Sequence, residues 1–125
     1  MAVNPNVKAY RAAVDVFNKG NGDLSGFSDL LADEVVHYTP APEIPVIMGK
    51  QAWIQGATLA VQSGGWVHQE LLADSGADDF TTAIIRNTHR NRYESSVGVA
   101  RWREGKMAEI WSVGHQATPK ETGGE

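Results

Sequence analysis

Three observations predict an α+β fold. Two stretches repeat apolar residues at helical spacing, the spacing changes after Gly64-Gly65, and four strand-like segments with short turns follow. Helices first and strands afterwards is the segregation of an α+β domain, not the alternation of a parallel sheet. The expected form is a cone, with a curved, mainly antiparallel sheet wrapped around N-terminal helices and enclosing a pocket at its mouth.

The first helix opens at Asn4-Pro5, a capping side chain followed by proline in the first turn. Val7, Tyr10, Val14 and Phe17 then form one apolar stripe, and Gly20-Asn21-Gly22 ends it. A shorter helix is expected from Gly26 to Leu31, and a strand from Val35 to Thr39. Pro40, Pro42 and Pro45 predict an irregular loop up to Gly49. Lys50 to Ser63 reads as a helix, with Trp53, Ile54, Ala57, Ala60 and Val61 on one face and Gly64-Gly65 as its stop. Trp66–Ala73, Phe80–His89, Tyr93–Trp102 and Lys106–His115 read as strands. Residues 117–125 read as a disordered tail, and 1–125 as a single domain.

Composition narrows the function classes. The chain has 125 residues, 42% of them apolar, enough for one core. Its formal charge of −4 argues against a nucleic-acid surface. There is no cysteine, so thiolate chemistry is excluded. No stretch approaches the roughly 20 apolar residues of a membrane span, and Met1 to Tyr10 lacks the apolar run of a signal peptide. A soluble cytoplasmic protein is expected. His37, His68 and His115 are scattered without metal-site spacing, and no Gly-rich phosphate loop is present, so neither metal nor cofactor is expected.

Two hairpins align three of the strands. A three-residue loop at Glu104-Gly105-Lys106 would set Gly98 opposite Ile110 and Ser96 opposite Ser112. A two-residue loop at Asn91-Arg92 would set His89 opposite Glu94, Asn87 opposite Ser96, and Ile85 opposite Gly98. One face then grades from Ala83, Ala100 and Ala108, through Ile85, Gly98 and Ile110, to Asn87, Ser96 and Ser112, ending at His89 and Glu94. The other carries Ile84, Val97, Val99, Trp111 and Val113. Alternation alone leaves open which face is inside, because a one-residue slip exchanges them.

The run Val36-His37-Tyr38-Thr39-Pro40, then Pro45 and Gly49 opening a helix, then Gly98 to Lys106 and Glu109-Ile110-Trp111, resembles the nuclear transport factor 2-like superfamily. It is similar in particular to SnoaL-like polyketide cyclases, limonene-epoxide hydrolases and ketosteroid isomerases, over roughly Val7 to His115. The resemblance implies the cone fold and assigns the graded face to the pocket. It also implies an Asp-Arg-Asp water-activating set at positions 89, 87 and 112. This chain has His89, Asn87 and Ser112 there, so epoxide hydrolysis by that route is not expected.

His89 with Glu94 is then the expected acid/base pair, a carboxylate orienting an imidazole. The alternative is a solvent-facing pair at a hairpin end. Tyr38 matches a pocket position of the resembling hydrolases and is the expected hydrogen-bond donor to a ligand carbonyl, with a simply packed tyrosine as the alternative. His37 alternates away from Tyr38 and is expected outside the pocket. Trp53, Ile85, Asn87, Ser96, Ile110 and Ser112 are the expected ligand-binding lining.

Two function classes follow. One is an isomerase, cyclase or hydrolase moving a proton on a small apolar, oxygen-bearing metabolite. The other is a non-catalytic ligand-binding or association module of the same fold. A homodimer through Val97, Val99 and Trp111 is expected in either case, because that face is too apolar to stay bare.

Overall fold

The computed structural model describes residues 3–119, without the side chains of residues 115 and 116. Three helices, α1 (Pro5–Lys19), α2 (Ser25–Leu30) and α3 (Lys50–Gly64), accompany six strands. The strands are β1 (Leu31–Tyr38), β2 (Val46–Met48), β3 (His68–Ala77), β4 (Phe80–Thr88), β5 (Arg92–Arg103) and β6 (Lys106–Pro119). They form one mixed sheet in the order β2-β1-β6-β5-β4-β3. All neighbours pair antiparallel except β1 and β6, which run parallel. The predicted α+β architecture, a mainly antiparallel sheet with the helices against it, is thus the one observed, with one parallel step inside the open sheet.

Local chemistry accounts for the helix ends. The Asn4 side chain accepts from the backbone N–H of Asn6 and Val7, and Pro5 needs no partner in the first turn. Gly65 ends α3 in the left-handed conformation, with φ of 67°. A Cβ there would lie 2.9 Å from that of Arg90, so only glycine allows α3 to meet the β4–β5 turn so closely. The Arg90 N–H donates to the Gly64 carbonyl across that contact.

The core has two parts. Ala13, Val14 and Phe17 of α1 pack with Phe27 of α2. Leu31 and Val35 of β1 pack with Ala100, Trp102 and Met107. Between them lies an aromatic group in which Phe27 touches Tyr10, Phe17, Trp53 and Trp66 at ring separations of 5.5 to 6.4 Å. Each ring removes large apolar area from water.

Several sequence expectations require correction. The β5–β6 turn is two residues long, Glu104-Gly105, closed by Arg103 opposite Lys106. Both turn residues have positive φ, 52° and 77°, as the hairpin twist demands. Ala108 is an extra residue in β6, because Trp102 faces Met107 while Arg101 faces Glu109. Gly98 therefore sits opposite Ser112, not Ile110. The β4–β5 connection is longer than expected, with Thr88 opposite Tyr93, so Asn87 faces Glu94 and Ile85 faces Ser96. The β4–β5 register differs from expectation by two positions, and an even shift leaves its side chains on their faces. The β5–β6 register differs by one position beside the turn, by two from Arg101 to Val97, and by three beyond a second irregularity between Ser95 and Val97, so the expected parity holds only along its middle stretch.

Other differences concern element ends. β3 continues through Asp74-Ser75-Gly76, residues that read as a turn, because pairing with β4 holds them on the sheet edge. β1 begins at Leu31 instead of Val35. The proline loop contains a short strand, β2, whose Val46 to Met48 pair with β1. Ala117 to Pro119 extend β6 against Arg92 to Glu94 instead of belonging to a loose tail. The rest of that expected tail, residues 120–125, lies outside the described residues.

Candidate functional site

A cavity of about 170 Å³ lies between the helices and the inner face of the sheet. The sheet side is built from Ala83, Ile85 and Asn87 of β4, Ser96, Gly98 and Ala100 of β5, and Ile110 and Ser112 of β6. These alternate residues are the graded face expected for the pocket. Burial follows the same alternation: Ala83 and Ile85 are buried while Ile84 between them is exposed. Helix α3 contributes Trp53, α2 Phe27, and α1 Val7 and Tyr10. All six residues expected as ligand-binding lining, Trp53, Ile85, Asn87, Ser96, Ile110 and Ser112, border this cavity.

Small side chains keep it open. A Cβ at Gly98 would meet only the Ile85 Cδ1, at an ordinary 3.5 Å, so glycine here leaves space rather than relieving strain.

Strand β1 reverses two placements. His37 faces Ile110 across the parallel pairing and Tyr38 faces Trp111. Because Ile110 lies on the cavity side, so does His37, and it borders the cavity. Tyr38, expected in the pocket, is instead 38% exposed on the outer face, stacked on Trp111 at 5.8 Å. His37, expected outside, is the imidazole that the cavity contains. Alternation carries no register between β1 and the distant β6, so it could not decide which of two adjacent polar aromatics faced inward.

The His37 Nε2 lies 2.8 Å from the Ser112 Oγ. The His37 Nδ1 is buried and has no hydrogen-bond partner among the described residues. Burial pushes the imidazole pKa down from 6.5 to about 4, so His37 is neutral at pH 7. With hydrogen on Nε2, the ring donates to Ser112 and leaves a bare lone pair at Nδ1, a milder orphan than a bare N–H. The Ser112 hydroxyl hydrogen is then left for another acceptor.

A second polar group spans the other end of the lining. The Trp66 indole N–H donates to the Asn87 Oδ1 at 2.9 Å. The Gln69 Nε2 donates to the same oxygen at 2.9 Å. The Tyr10 hydroxyl donates to the Gln69 Oε1 at 2.8 Å. Burial raises the Tyr10 pKa, opposed by the Gln69 hydrogen bond, so the phenol keeps its proton. Asn18 fastens the Gln69 backbone, accepting from its N–H and donating to its carbonyl. Sequence reading missed Tyr10, Trp66 and Gln69 as site residues. Tyr10 was read only as part of the apolar stripe of α1 and Trp66 only as the start of a strand, and nothing in the sequence singled out Gln69.

His89 and Glu94 do come together, as expected, with the His89 Nε2 2.7 Å from the Glu94 Oε1. Arg92 donates to the same carboxylate oxygen. The imidazole is 7% exposed and lies nearly parallel to Trp66 at 6.4 Å. The pair stands beside Trp66, outside the residues that line the cavity. At the other edge, Asp74 borders the cavity and holds Arg11 through two 2.7 Å hydrogen bonds. The guanidinium keeps that carboxyl below the usual carboxylate range. No group of three or more His, Asp or Glu suited to a metal occurs among the described residues.

The His37 shift has a consequence for stability. Its folded pKa lies below its unfolded value, so the unfolded chain takes up a proton first as pH falls from 6.5 toward 4. This one group is expected to withdraw stability on the order of 3 kcal/mol across that window. Denaturant melts between pH 7 and 4 should show a shallower loss in His37→Gln than in the unaltered chain. Equal slopes would show that His37 does not stay neutral.

No protein-family model matches the chain, and no curated protein matches it. Solved structures do. An NTF2-like protein of unknown function from Burkholderia xenovorans is 18% identical, with 95% of this chain and 88% of that one covered and a TM-score of 0.70. IdmH, a provisionally assigned polyketide cyclase from Streptomyces antibioticus, is 16% identical over 88% of this chain and 91% of that one, with a TM-score of 0.68. A provisionally assigned ketosteroid isomerase from Kribbella flavida is 14% identical over 94% and 78%, with a TM-score of 0.67. No helix among the described residues is long and apolar enough to cross a membrane. The chain has the nuclear transport factor 2-like fold.

Proposed function

We propose that this chain binds a small apolar molecule bearing a carbonyl-type oxygen and moves a proton on it, in the manner of an isomerase, cyclase or hydrolase. The observation that carries the reading is the hydrogen-bonded His37–Ser112 pair in the wall of a mainly apolar cavity. A neutral imidazole that donates to Ser112 strengthens the serine hydroxyl as a donor to an oxygen on which charge develops. Trp53 and Phe27 supply flat apolar surface for the body of the molecule. His89 and Glu94 stand beside Trp66 and enter this reading as its support, not as groups that touch substrate. The solved relatives provisionally assigned as a cyclase and an isomerase make this reaction class reasonable for the fold, and no more than that.

One observation favours a non-catalytic reading. Asp74 is tied to Arg11, and His37 binds a proton weakly, so the lining holds no strong base among the described residues. Deuterium exchange at the carbon beside the carbonyl of 1-indanone, followed by proton NMR, separates the two. The catalytic reading expects exchange faster than in buffer, slowed about 100-fold or more in both His37→Gln and Ser112→Ala while binding persists. Binding without accelerated exchange would leave a ligand-binding module.

The outer sheet face supports a second proposal, a homodimer. By register, Tyr38, Trp111 and Val99 share one row of that face, and Val113, Val97 and Ile84 the next. Ile84 and Val113 are 45% and 53% exposed. The charges on this face neutralise one another, Arg101 with Glu109 and Arg86 with Glu70, so a second copy meets no net repulsion. Light scattering at micromolar concentration should give a dimer for the unaltered chain and a monomer for Val113→Glu. A monomer in both would refute the interface.

A further inference from the structure

The orientation of the Asn87 amide is decided by an atom that can only donate. An indole N–H has no acceptor capacity, so the Asn87 group 2.9 Å from the Trp66 Nε1 must be its oxygen. The same oxygen lies 2.9 Å from the Gln69 side chain, which must therefore present its own NH₂. The Gln69 Oε1 is then left to accept from Tyr10. One ring nitrogen thus fixes two amides in sequence. Gln69 itself is 5% exposed, and Asn18 holds its backbone on both sides, so it has little freedom to adopt another arrangement. The Asn87 oxygen is fully engaged, while its NH₂ has no acceptor among the described residues, although Asn87 borders the cavity.

We propose that Gln69 is a positioning residue that holds Asn87 as a hydrogen-bond donor toward the cavity, so that the bound molecule is selected for an acceptor oxygen at this end. This rests on the reading of the cavity as a site for an apolar, oxygen-bearing molecule. It adds a rule of selection: a ketone, ether or hydroxyl oxygen, which can accept, is taken beside Asn87, and an N–H that can only donate is rejected. A mismatched ligand would bury its own donor against the Asn87 donor and leave both without a partner.

Replacing Gln69 by Glu inverts the rule. The Asn87 oxygen is then held by the Trp66 N–H alone, and a carboxylate repels that oxygen and binds the Asn87 NH₂ in a charge-assisted hydrogen bond stronger than one neutral indole donor provides, turning the amide so that its oxygen faces the cavity. Two bicyclic probes of similar shape read this out by calorimetry: 1-indanone, which only accepts, and indole, whose polar atom only donates. The unaltered chain should bind 1-indanone about tenfold or more tighter than indole, and Gln69→Glu should abolish or reverse that ratio. A merely structural role for Gln69 would weaken both probes together and leave the ratio intact, which would overturn the proposal. Should Gln69→Glu not fold, side-chain amide NMR of the unaltered chain decides. Adding 1-indanone must shift the Asn87 NH₂ resonances and leave those of Gln69 in place; an unmoved Asn87 signal would overturn it. If neither probe binds, the reading of the cavity as an apolar, oxygen-accepting site falls first. If both bind equally, that reading stands and only the selection rule fails.

Discussion

Strand β1 runs beside β6 with His37 against Ile110 and Tyr38 against Trp111, and the chemistry of the cavity depends on that registration. A slip of one residue would put a phenol where the imidazole now lies and turn His37 outward. The fit is held at several points. Leu31 and Val35 are buried in the core below His37, and Val36 to Tyr38 also pair with β2 on the other side. The Gly49 N–H donates to the Val35 carbonyl, fastening the start of α3 to the same strand. The position of one neutral histidine is thus the product of packing spread over four elements.

The two ends of the cavity differ in kind. At the His37–Ser112 end the hydroxyl can rotate, and the neutral ring can carry its hydrogen on either nitrogen. At the Asn87 end every orientation is fixed by the indole N–H of Trp66, and the amides relay that constraint to Tyr10 on α1. Leaving one of these buried polar groups without its partner would cost about 1 to 3 kcal/mol. The relay therefore ties helix to sheet as well as shaping the lining. Trp66 also carries the His89–Glu94 pair on one side and Phe17 on another, at 4.5 Å between ring centres.

Much of the fold was legible in the sequence because it was written in periodicity. The stripes on α1 and α3, the capping asparagine and the left-handed Gly65 each had one plausible reading. The inner face of β4, β5 and β6 was legible around the cavity, since the β4–β5 error and the error along the middle of β5–β6 were both of two positions and kept parity there. The His89–Glu94 encounter was anticipated although the two do not sit directly opposite, because long side chains reach across a diagonal. What was not legible was strand pairing. The bulge at Ala108 and the short strand after Pro45 are set by pairing with neighbouring segments, and the parallel β1–β6 step joins segments far apart in the chain. With β1 unregistered, His37 and Tyr38 were assigned to the wrong sides. The amide relay was hidden for a related reason, as nothing near Gln69 in the sequence points to Tyr10, 59 positions earlier.

His37, not Tyr38, faces the cavity beside Ile110 and Ser112. Proton NMR distances between assigned side chains read this placement in solution. Strong cross-relaxation is expected from the His37 ring to Ile110 and Ser112, with the Tyr38 ring close to Trp111 instead. Cross-relaxation from the Tyr38 ring to Ile110, with the His37 ring near Trp111, would contradict it and remove the imidazole from the site.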